Sequence, residues 1–343
     1  MTWKTLALAG AVAVVAGGIA EARDIEMQSI YPGSLPLLGQ SGVELGERVS
    51  TLTGGELNFV FRNPGEIVAG NEIWDALSTG AIEAAWYSPG FAESVVPSAS
   101  LFTAFPFGPD VREYSAWWYN GGGYELWNEI SAPYNIHSEL CAVLVPEASG
   151  WFREEINSPD DLKGMKMRVF GLGAAVFQKL GVQAQSMPVA DTMSALNLGT
   201  IDAAELSFPA IDNALGMYEH AKQYYFPGWH QQTSLIVFMM NTDAWEALSD
   251  QERAVIQEVC TANVTRTMAQ GEAIQLEPLD KMVNENGVVL HEWSDDMLAA
   301  FRTAWDEVVA EKTASNEEFK RVWDHIQDFR QKYSTWKNLG YAE

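Results

Sequence analysis

The stretch Asp24–Tyr31 reads DIEMQSIY and alternates apolar with polar side chains until Pro32 and Gly33 interrupt it. Alternation of this kind is typical of a half-buried β-strand. The following segment, Leu38–Leu52, carries apolar residues near helical spacing and stops at Thr53-Gly54-Gly55, and Glu56–Phe61 (ELNFVF) returns to a strand pattern. The chain therefore begins with a strand-helix-strand unit, the building block of α/β folds.

The same alternation recurs further along the chain. His137–Val145 and Met165–Val169 are predicted strands, and predicted helices end at Gly181 and Gly199. Chains of this pattern form mixed sheets flanked by helices, with ligands bound beyond the carboxyl ends of the strands. From Ser294 to Lys337 the pattern becomes almost purely helical, so we expect long amphipathic helices at the C-terminus.

Length and charge restrict the function. The 343 residues suffice for two lobes of ordinary domain size, and 47% hydrophobic residues are typical of a globular protein. With 46 acidic against 21 basic residues the net charge is −25. Such an acidic surface repels phosphate backbones and anionic lipids, which excludes nucleic-acid binding through a basic patch.

The N-terminus predicts export. Lys4 precedes the short apolar segment Leu6–Val15, and Ala20-Glu21-Ala22 fits a small-x-small cleavage site. We expect a signal peptide at residues 1–22, cleaved after Ala22, and a soluble periplasmic protein. An uncleaved N-terminal anchor is the alternative.

Cys141 and Cys260 are the two cysteines of the chain. They lie far apart in the sequence among apolar residues, which favours two separate buried thiols, although export would permit a disulfide.

Enzyme motifs are missing from the sequence: it contains no HExxH, no GxSxG and no Walker A segment. Gly171–Val176 (GLGAAV) resembles the start of a dinucleotide fingerprint but lacks its third glycine, so a simple strand-to-helix turn is the better interpretation.

Arg168 is the candidate binding residue. It lies next to last in the predicted strand Met165–Val169 and faces away from Met167 and Val169, because side chains alternate along a strand. A guanidinium at the carboxyl end of a strand could bind a carboxylate through two parallel hydrogen bonds. A structural ion pair is the alternative.

Four motifs carry a family resemblance: GWFREEI (Gly150–Ile156), DLKGMKMRV (Asp161–Val169), NLGTIDAAEL (Asn197–Leu206) and YYFPGW (Tyr224–Trp229). In order and spacing they resemble the DctP-type solute receptors of tripartite ATP-independent periplasmic (TRAP) transporters, above all the branch that binds 2-oxo acids and lactate with a metal ion. The resemblance implies a receptor without catalytic activity that closes two lobes on a small organic anion and delivers it to a membrane permease. It also implies lobe I at 23–146 plus about 233–275, and lobe II with the C-terminal helices at 147–232 plus about 276–343, joined by hinge strands.

The resemblance assigns roles to individual residues. Arg168 matches the carboxylate-binding arginine, and Glu205 matches an acid that holds the cation together with the backbone carbonyl of Leu206. This chain differs from the family pattern at three positions. It has Glu147 where the branch has Gln, Leu206 where the branch has Trp, and Gln231 near the position where the branch has an acid. The remaining predicted pocket residues are Trp86, Tyr87, Phe208 and Trp229.

These differences from the family pattern affect the predicted cation and the predicted ligand. Glu147, if it faces the cleft and not the solvent at its rim, adds a second carboxylate beside Glu205. Two carboxylates near a bound anion need a cation between them, either a metal ion or an ammonium group of the substrate. Oxygen donors point to Na⁺ or Ca²⁺. Glu147 and Gln231 complete the predicted ligand set for that ion.

Several alternatives stay open. The ligand could be a dicarboxylate, an amino acid or a compatible solute, and an exported hydrolase using paired carboxylates is the competing class. A homodimer could form through an apolar stripe on the last helix, made of Phe319, Val322, Trp323, Ile326 and Phe329.

Overall fold

The computed structural model of the chain describes residues 22–187 and 189–341. The predicted signal peptide therefore lies outside the described residues except for Ala22, its last member. Among the described helices, none combines the length and the apolar character that crossing a bilayer requires.

Two mixed β-sheets form the framework of the described residues. The strands are, in chain order, β1 (Arg23–Ser29), β2 (Leu57–Arg62), β3 (Ala84–Tyr87), β4 (Ile136–Leu144), β5 (Gly150–Phe152), β6 (Lys166–Arg168), β7 (Gln183–Gln185), β8 (Ala203–Ala204), β9 (Gln223–Phe226), β10 (Ser234–Asn241) and β11 (Val289–Glu292).

The sheets are flanked by α-helices and short 3₁₀ turns. The helices are α1 (Gln40–Leu52), α2 (Ile73–Ser78), α3 (Val111–Asn120), α4 (Gly123–Ser131), α5 (Gly171–Lys179), α6 (Val189–Leu198), α7 (Pro209–Leu215), α8 (Thr242–Glu246), α9 (Asp250–Ala273), α10 (Leu276–Asn286), α11 (Asp295–Ser315) and α12 (Glu317–Gly340). The 3₁₀ turns are Gly70–Glu72, Pro89–Ala92, Ala99–Phe102, Ala132–Tyr134, Pro159–Leu162 and Met217–Glu219.

The first sheet has the order β2-β1-β3-β10-β4. Strands β1, β2 and β3 run parallel, while β10 is antiparallel to both β3 and β4. The predicted strand-helix-strand unit forms as expected, with α1 between β1 and β2. Apolar side chains of β1, including Ile25 and Met27, are fully buried under the helices that cover this sheet.

The second sheet has the order β11-β9-β5-β8-β6-β7. Strand β6 is parallel to β7 and β8, and β5 is antiparallel to β8 and β9. The α/β architecture of two mixed sheets flanked by helices, with long helices at the C-terminus, is therefore confirmed. Strand β5 is short, because its pairing with β8 and β9 ends at Phe152.

Two of the crossings between the sheets are adjacent segments, while a third runs from β10 through α8, α9 and α10 to β11. Residues 145–149 lead from β4 to β5, and residues 227–233 lead from β9 back to β10. The segments are hydrogen-bonded to each other: the Glu147 N–H donates to the Gln231 carbonyl at 3.3 Å, and the Gly228 N–H donates to the Glu147 carbonyl at 2.9 Å. An added Cβ on Gly228 would lie 2.1 Å from that carbonyl, so only glycine allows this close approach.

The two C-terminal helices attach to different parts of the molecule. Helix α11 packs against α5 beside the second sheet, whereas α12 packs against α3, next to the first sheet. Arg330 of α12 donates to Glu113 of α3 at 2.9 Å, which fixes this contact with an ion pair. In the apolar stripe of α12, Phe319, Val322 and Ile326 are buried within their own chain.

The sequence-based preference for two unpaired cysteines is wrong, because Cys141 and Cys260 form a disulfide. Cys141 lies on β4 and Cys260 on α9, and α9 packs directly across β4. The two cysteines are 119 residues apart in sequence, so no local sequence pattern indicates this contact. The bond links the first sheet to its covering helix.

Candidate functional site

Arg168 and Glu205 meet at the carboxyl ends of two neighbouring parallel strands. Arg168 ends β6 and Glu205 follows β8, and the Glu205 N–H donates to the Arg168 carbonyl at 2.9 Å. Arg168 Nη1 donates to Glu205 Oε2 at 3.0 Å and also to the Glu205 carbonyl. The Phe170 N–H donates to the same carboxylate oxygen at 3.2 Å. This is the edge of the sheet where α/β proteins bind ligands.

Glu147 approaches this pair from the first crossing segment. Its side chain is 3% exposed, and its Oε1 accepts a hydrogen bond from the Ser207 hydroxyl at 2.8 Å. Its Oε2 has no hydrogen-bond partner among the described residues. Glu147 is therefore a buried carboxylate and not a rim residue in water.

His230 completes the cluster, and the sequence had given no reason to select it. It lies on the second crossing segment, it is 5% exposed, and its Nε2 lies 3.7 Å from Glu205 Oε1, too far for a hydrogen bond. Neither ring nitrogen has a hydrogen-bond partner among the described residues. One donor atom each from Glu147, Glu205 and His230 lies within 4.8 Å of the others. Such convergence of unpartnered buried donor atoms fits a bound cation.

The two carboxylates have opposite protonation tendencies. Burial raises the pKa of Glu147 well above its ordinary range, and the charge of Glu205 raises it further. Burial also disfavours the charged form of Glu205, but His230 and Arg168 outweigh this effect and hold its pKa below the ordinary value. In the absence of a cation, Glu147 therefore tends to retain its proton while Glu205 stays ionised.

A third buried acid lies behind the cluster. Asp212 on α7 accepts hydrogen bonds from the Trp151 indole and the Tyr224 hydroxyl, both at 2.8 Å. Burial raises the pKa of Asp212 to about 7, despite these two donors. Glu205 adds to the increase through its negative charge, so the acids around the site interact with one another.

Trp229 lies beside His230 and is buried. Its ring stacks on Phe301 of α11 at a centroid distance of 4.3 Å and also contacts Phe107, whose N–H donates to the Trp229 carbonyl at 2.7 Å. Its indole nitrogen has no hydrogen-bond partner among the described residues. Trp229 thus connects the cluster to the C-terminal helices.

The other predicted pocket residues differ in how far they are buried. Tyr87 and Phe208 are buried, and Leu206 is half-buried against the core of the second sheet. Trp86 packs in the core beneath α1, where its indole nitrogen donates to the Leu38 carbonyl at 2.7 Å. The backbone of Gln231 pairs with Glu147, as described above, and its side chain is buried.

Three aromatic residues that the sequence analysis missed close the space between the sheets. Phe91, from the side of the first sheet, contacts Phe170 of the second at a centroid distance of 4.6 Å, and Tyr31 contacts Phe91. The Tyr31 hydroxyl donates to Ser88 at 2.8 Å. Burial raises the pKa of Tyr31, and the charge of Glu147 contributes to this increase. The only sequence signal of these three residues was aromatic character close to Pro32, Pro89 and Val169.

Comparison with known proteins agrees with this architecture. A family model described as bacterial extracellular solute-binding protein, family 7, matches residues 32–316. A monocarboxylate 2-oxoacid-binding periplasmic protein of Nostoc sp. is 30% identical over 315 residues, which cover 91% of this chain and 85% of that protein.

Two solved structures are similar over nearly their whole length. A TRAP transporter solute binding protein from Bordetella bronchiseptica, a dimer with copurified calcium and picolinate in one active site, has a TM-score of 0.89 and 31% identity, covering 93% of this chain and 95% of that one. A TRAP periplasmic solute binding protein from Colwellia psychrerythraea with bound calcium and pyruvate has a TM-score of 0.89 and 25% identity, covering 93% and 98%. The chain belongs to the DctP family of bacterial extracellular solute-binding proteins.

Proposed function

We propose that this protein is the extracytoplasmic receptor of a TRAP transporter and binds a small 2-oxo or 2-hydroxy monocarboxylate, such as pyruvate or lactate, together with a cation. The observation that carries the proposal is a buried guanidinium, Arg168, beside the converging carboxylates Glu147 and Glu205. The 2-oxoacid-binding relative and the calcium-pyruvate structure support the same ligand class.

In this proposal Arg168 binds the carboxylate of the ligand, and the cation bridges to its 2-oxo or 2-hydroxy oxygen. Glu205 and Glu147 are the charged ligands of the cation, with the Leu206 carbonyl and Gln231 as the further donors named by the sequence. Trp229, Tyr87 and Phe208 exclude water, Leu206 leaves room for an aliphatic tail, and Trp86 supports the wall from beneath.

Electrostatics explains why a cation is needed. Glu147, Glu205 and Arg168 carry −1 − 1 + 1 = −1 when both acids are ionised, and a bound monocarboxylate brings the total to −2. An uncompensated charge of this size is strongly disfavoured in a buried site. A bound cation offsets it and allows Glu147 to lose its proton.

We infer two lobes that close on the ligand, with the boundaries named above: 23–146 plus about 233–275, and 147–232 plus about 276–343. Helix α12 then joins the lobes, since it is covalently part of the second and packs on α3 of the first. Ligand contacts from both sides favour the closed state, which the membrane permease recognises.

A homodimer is the further partner we propose. Most of the apolar stripe predicted on α12 is buried within its own chain. The exposed Trp336 and Leu339 near the end of α12 are therefore the apolar residues that remain for the dimer contact. Light scattering of the wild type and of Leu339→Glu tests it: the wild type should have the mass of a dimer and the variant that of a monomer.

We also propose that the protein has no catalytic activity. The opposite pKa shifts of Glu147 and Glu205 are a pattern that acid-base enzymes use, so the point requires a measurement. One equivalent of ¹³C-labelled pyruvate should remain chemically unchanged in NMR spectra over hours. Conversion of the label would favour the hydrolase or another enzyme class.

Calorimetric titration with pyruvate tests the receptor proposal. Wild-type protein should bind one equivalent, and treatment with a chelator should abolish binding until a cation is restored. Arg168→Lys retains the charge but loses the planar fork, and should weaken binding by at least about 100-fold. Arg153→Lys on the same sheet is the matched control and should bind normally. Equal binding by wild type and Arg168→Lys would contradict the proposal, as would preference for a dicarboxylate or an amino acid.

A further inference from the structure

The structure adds an imidazole to a site for which the sequence supplied oxygen donors only. His230 is buried, and neither of its ring nitrogens has a hydrogen-bond partner within residues 22–187 and 189–341. A buried imidazole normally satisfies at least one nitrogen, because an unpaired buried polar atom is costly. Its Nε2 lies 3.7 Å from Glu205 Oε1, within ion-pair distance, and an imidazole placed between two buried carboxylates fits a metal ligand.

The donor atoms of the cluster lie close together, one from each residue within 4.8 Å of the others. Arg168 and the Phe170 N–H occupy Oε2 of Glu205, while its Oε1 lies 3.7 Å from His230 Nε2. Ser207 occupies Oε1 of Glu147, while its Oε2 has no partner among the described residues. Each of the two carboxylates thus has one oxygen held by the protein and one left for a further contact.

Packing fixes the imidazole in this position. An added Cβ on Gly173, in the first turn of α5, would lie 3.1 Å from His230 Cβ, so the two residues are in close contact. Trp229 is itself held between Phe301 and Phe107. The backbone and Cβ of His230 are therefore held in place before a metal binds, which lowers the entropic cost of coordination.

The charge balance favours a divalent ion when both acids are ionised. With a neutral imidazole, Glu147, Glu205 and Arg168 then sum to −1, and a bound monocarboxylate gives −2, which a divalent cation cancels. Among divalent ions, Ca²⁺ prefers oxygen ligands, whereas Zn²⁺ accepts imidazole nitrogen and carboxylate oxygen together. Three protein ligands with an open position are typical of Zn²⁺ sites that bind a further ligand.

We propose that Glu147, Glu205 and His230 form a three-ligand site that binds a divalent transition metal, represented by Zn²⁺, more tightly than Ca²⁺. The proposal deepens the proposed function, since this metal is the cation that bridges to the 2-oxo acid. It goes beyond the calcium found in the two related structures.

The test is a metal titration of chelator-treated protein in the absence of any organic ligand. Wild type should bind one Zn²⁺, and bind it more tightly than Ca²⁺. His230→Gln, which keeps an oxygen donor but removes the imidazole, should weaken Zn²⁺ binding by about 100-fold and change Ca²⁺ affinity by less than about threefold. His220→Gln is the matched control and should leave both affinities unchanged. The visible absorption of bound Co²⁺ should change in His230→Gln only.

Two outcomes would overturn the metal proposal: tighter binding of Ca²⁺ than of Zn²⁺ by wild type, or equal losses for the two ions in His230→Gln. A pyruvate titration of the same samples separates this result from the receptor proposal. If His230→Gln binds pyruvate with Ca²⁺, the receptor stands whichever metal wild type prefers. If wild type binds Zn²⁺ through His230 but binds no pyruvate, the metal site stands and the receptor proposal fails.

Discussion

Arg168 Nη1 lies 3.0 Å from Glu205 Oε2, and both side chains are almost completely buried. The two alternatives for Arg168, ligand binding and a structural ion pair, are therefore compatible, because the ion pair places the guanidinium at the candidate site. A buried pair of this kind is strongly destabilised when one partner is removed, since the other charge stays behind without compensation.

Arg168→Met should accordingly lower the free energy of unfolding by about 3–5 kcal/mol, as measured by urea denaturation of the ligand-free protein. The double variant Arg168→Met/Glu205→Gln removes the stranded charge and should recover part of the loss. A double variant that is no more stable than the single one would show that the energy does not come from the ion pair.

Asp212 should make stability dependent on pH. Its folded pKa, about 7, lies above its usual value of 3.8. The native state therefore holds a proton that the unfolded chain releases, and the stabilisation present below about pH 4 is lost as pH rises to about 7. The difference corresponds to at most about 4 kcal/mol, at 1.36 kcal/mol per pKa unit.

Asp212→Asn keeps an acceptor for Trp151 and Tyr224 but does not titrate. Thermal melts of the variant between pH 4 and pH 7 should decline less steeply than those of wild type. Asp202→Asn, at a half-buried acid directly before β8, serves as the control. Parallel pH profiles for wild type and Asp212→Asn would contradict the assignment.

Gly228→Ala should separate the two crossing segments. The new Cβ would lie 2.1 Å from the Glu147 carbonyl, so the backbone must move and Glu147 must shift away from Glu205. We expect loss of pyruvate binding in calorimetry together with destabilisation of about 1–3 kcal/mol. Gly70→Ala, where the nearest atom is the flexible end of Ile30 at 3.3 Å, should bind normally. Normal binding by Gly228→Ala would show that the contact between segments is dispensable.

The Cys141–Cys260 disulfide should contribute to stability through the 119-residue separation it spans. A loop of this length corresponds to about 4–5 kcal/mol in the chain-entropy model. The melting temperature should fall on reduction, and Cys141→Ala/Cys260→Ala should show the same decrease without any effect of reductant. A reductant-sensitive melting temperature in the double variant would point to another cause.

Much of the fold could be predicted because each element has a local signal. Alternation in Asp24–Tyr31 and glycine stops after the helices identify the first strand-helix-strand unit, and the same rules apply to β6 and α5. The disulfide could not be predicted in this way, since it depends on α9 packing over β4, a contact without local sequence signal. The packing of α12 on α3 could not be predicted for the same reason.

The residues of the candidate site likewise differ in whether a local sequence pattern identifies them. Arg168 and Glu205 lie in recognisable motifs at strand ends, so their positions follow from local pattern and resemblance. His230 belongs to no metal-binding spacing: its partners precede it by 25 and 83 residues, and the fold alone brings them together. Its position directly after the motif YYFPGW was the only available indication.

The hydrogen bonds between residues 145–149 and 227–233 join the candidate cation site to the crossings between the sheets. Glu147 and His230 lie on the same two segments along which the chain crosses between the sheets. Under the proposed lobe closure, rotation of one lobe against the other would twist these segments and change the separation of the donor atoms. Cation occupancy and the angle between the lobes would then be coupled, so that a permease sensing that angle would also sense whether the site is filled.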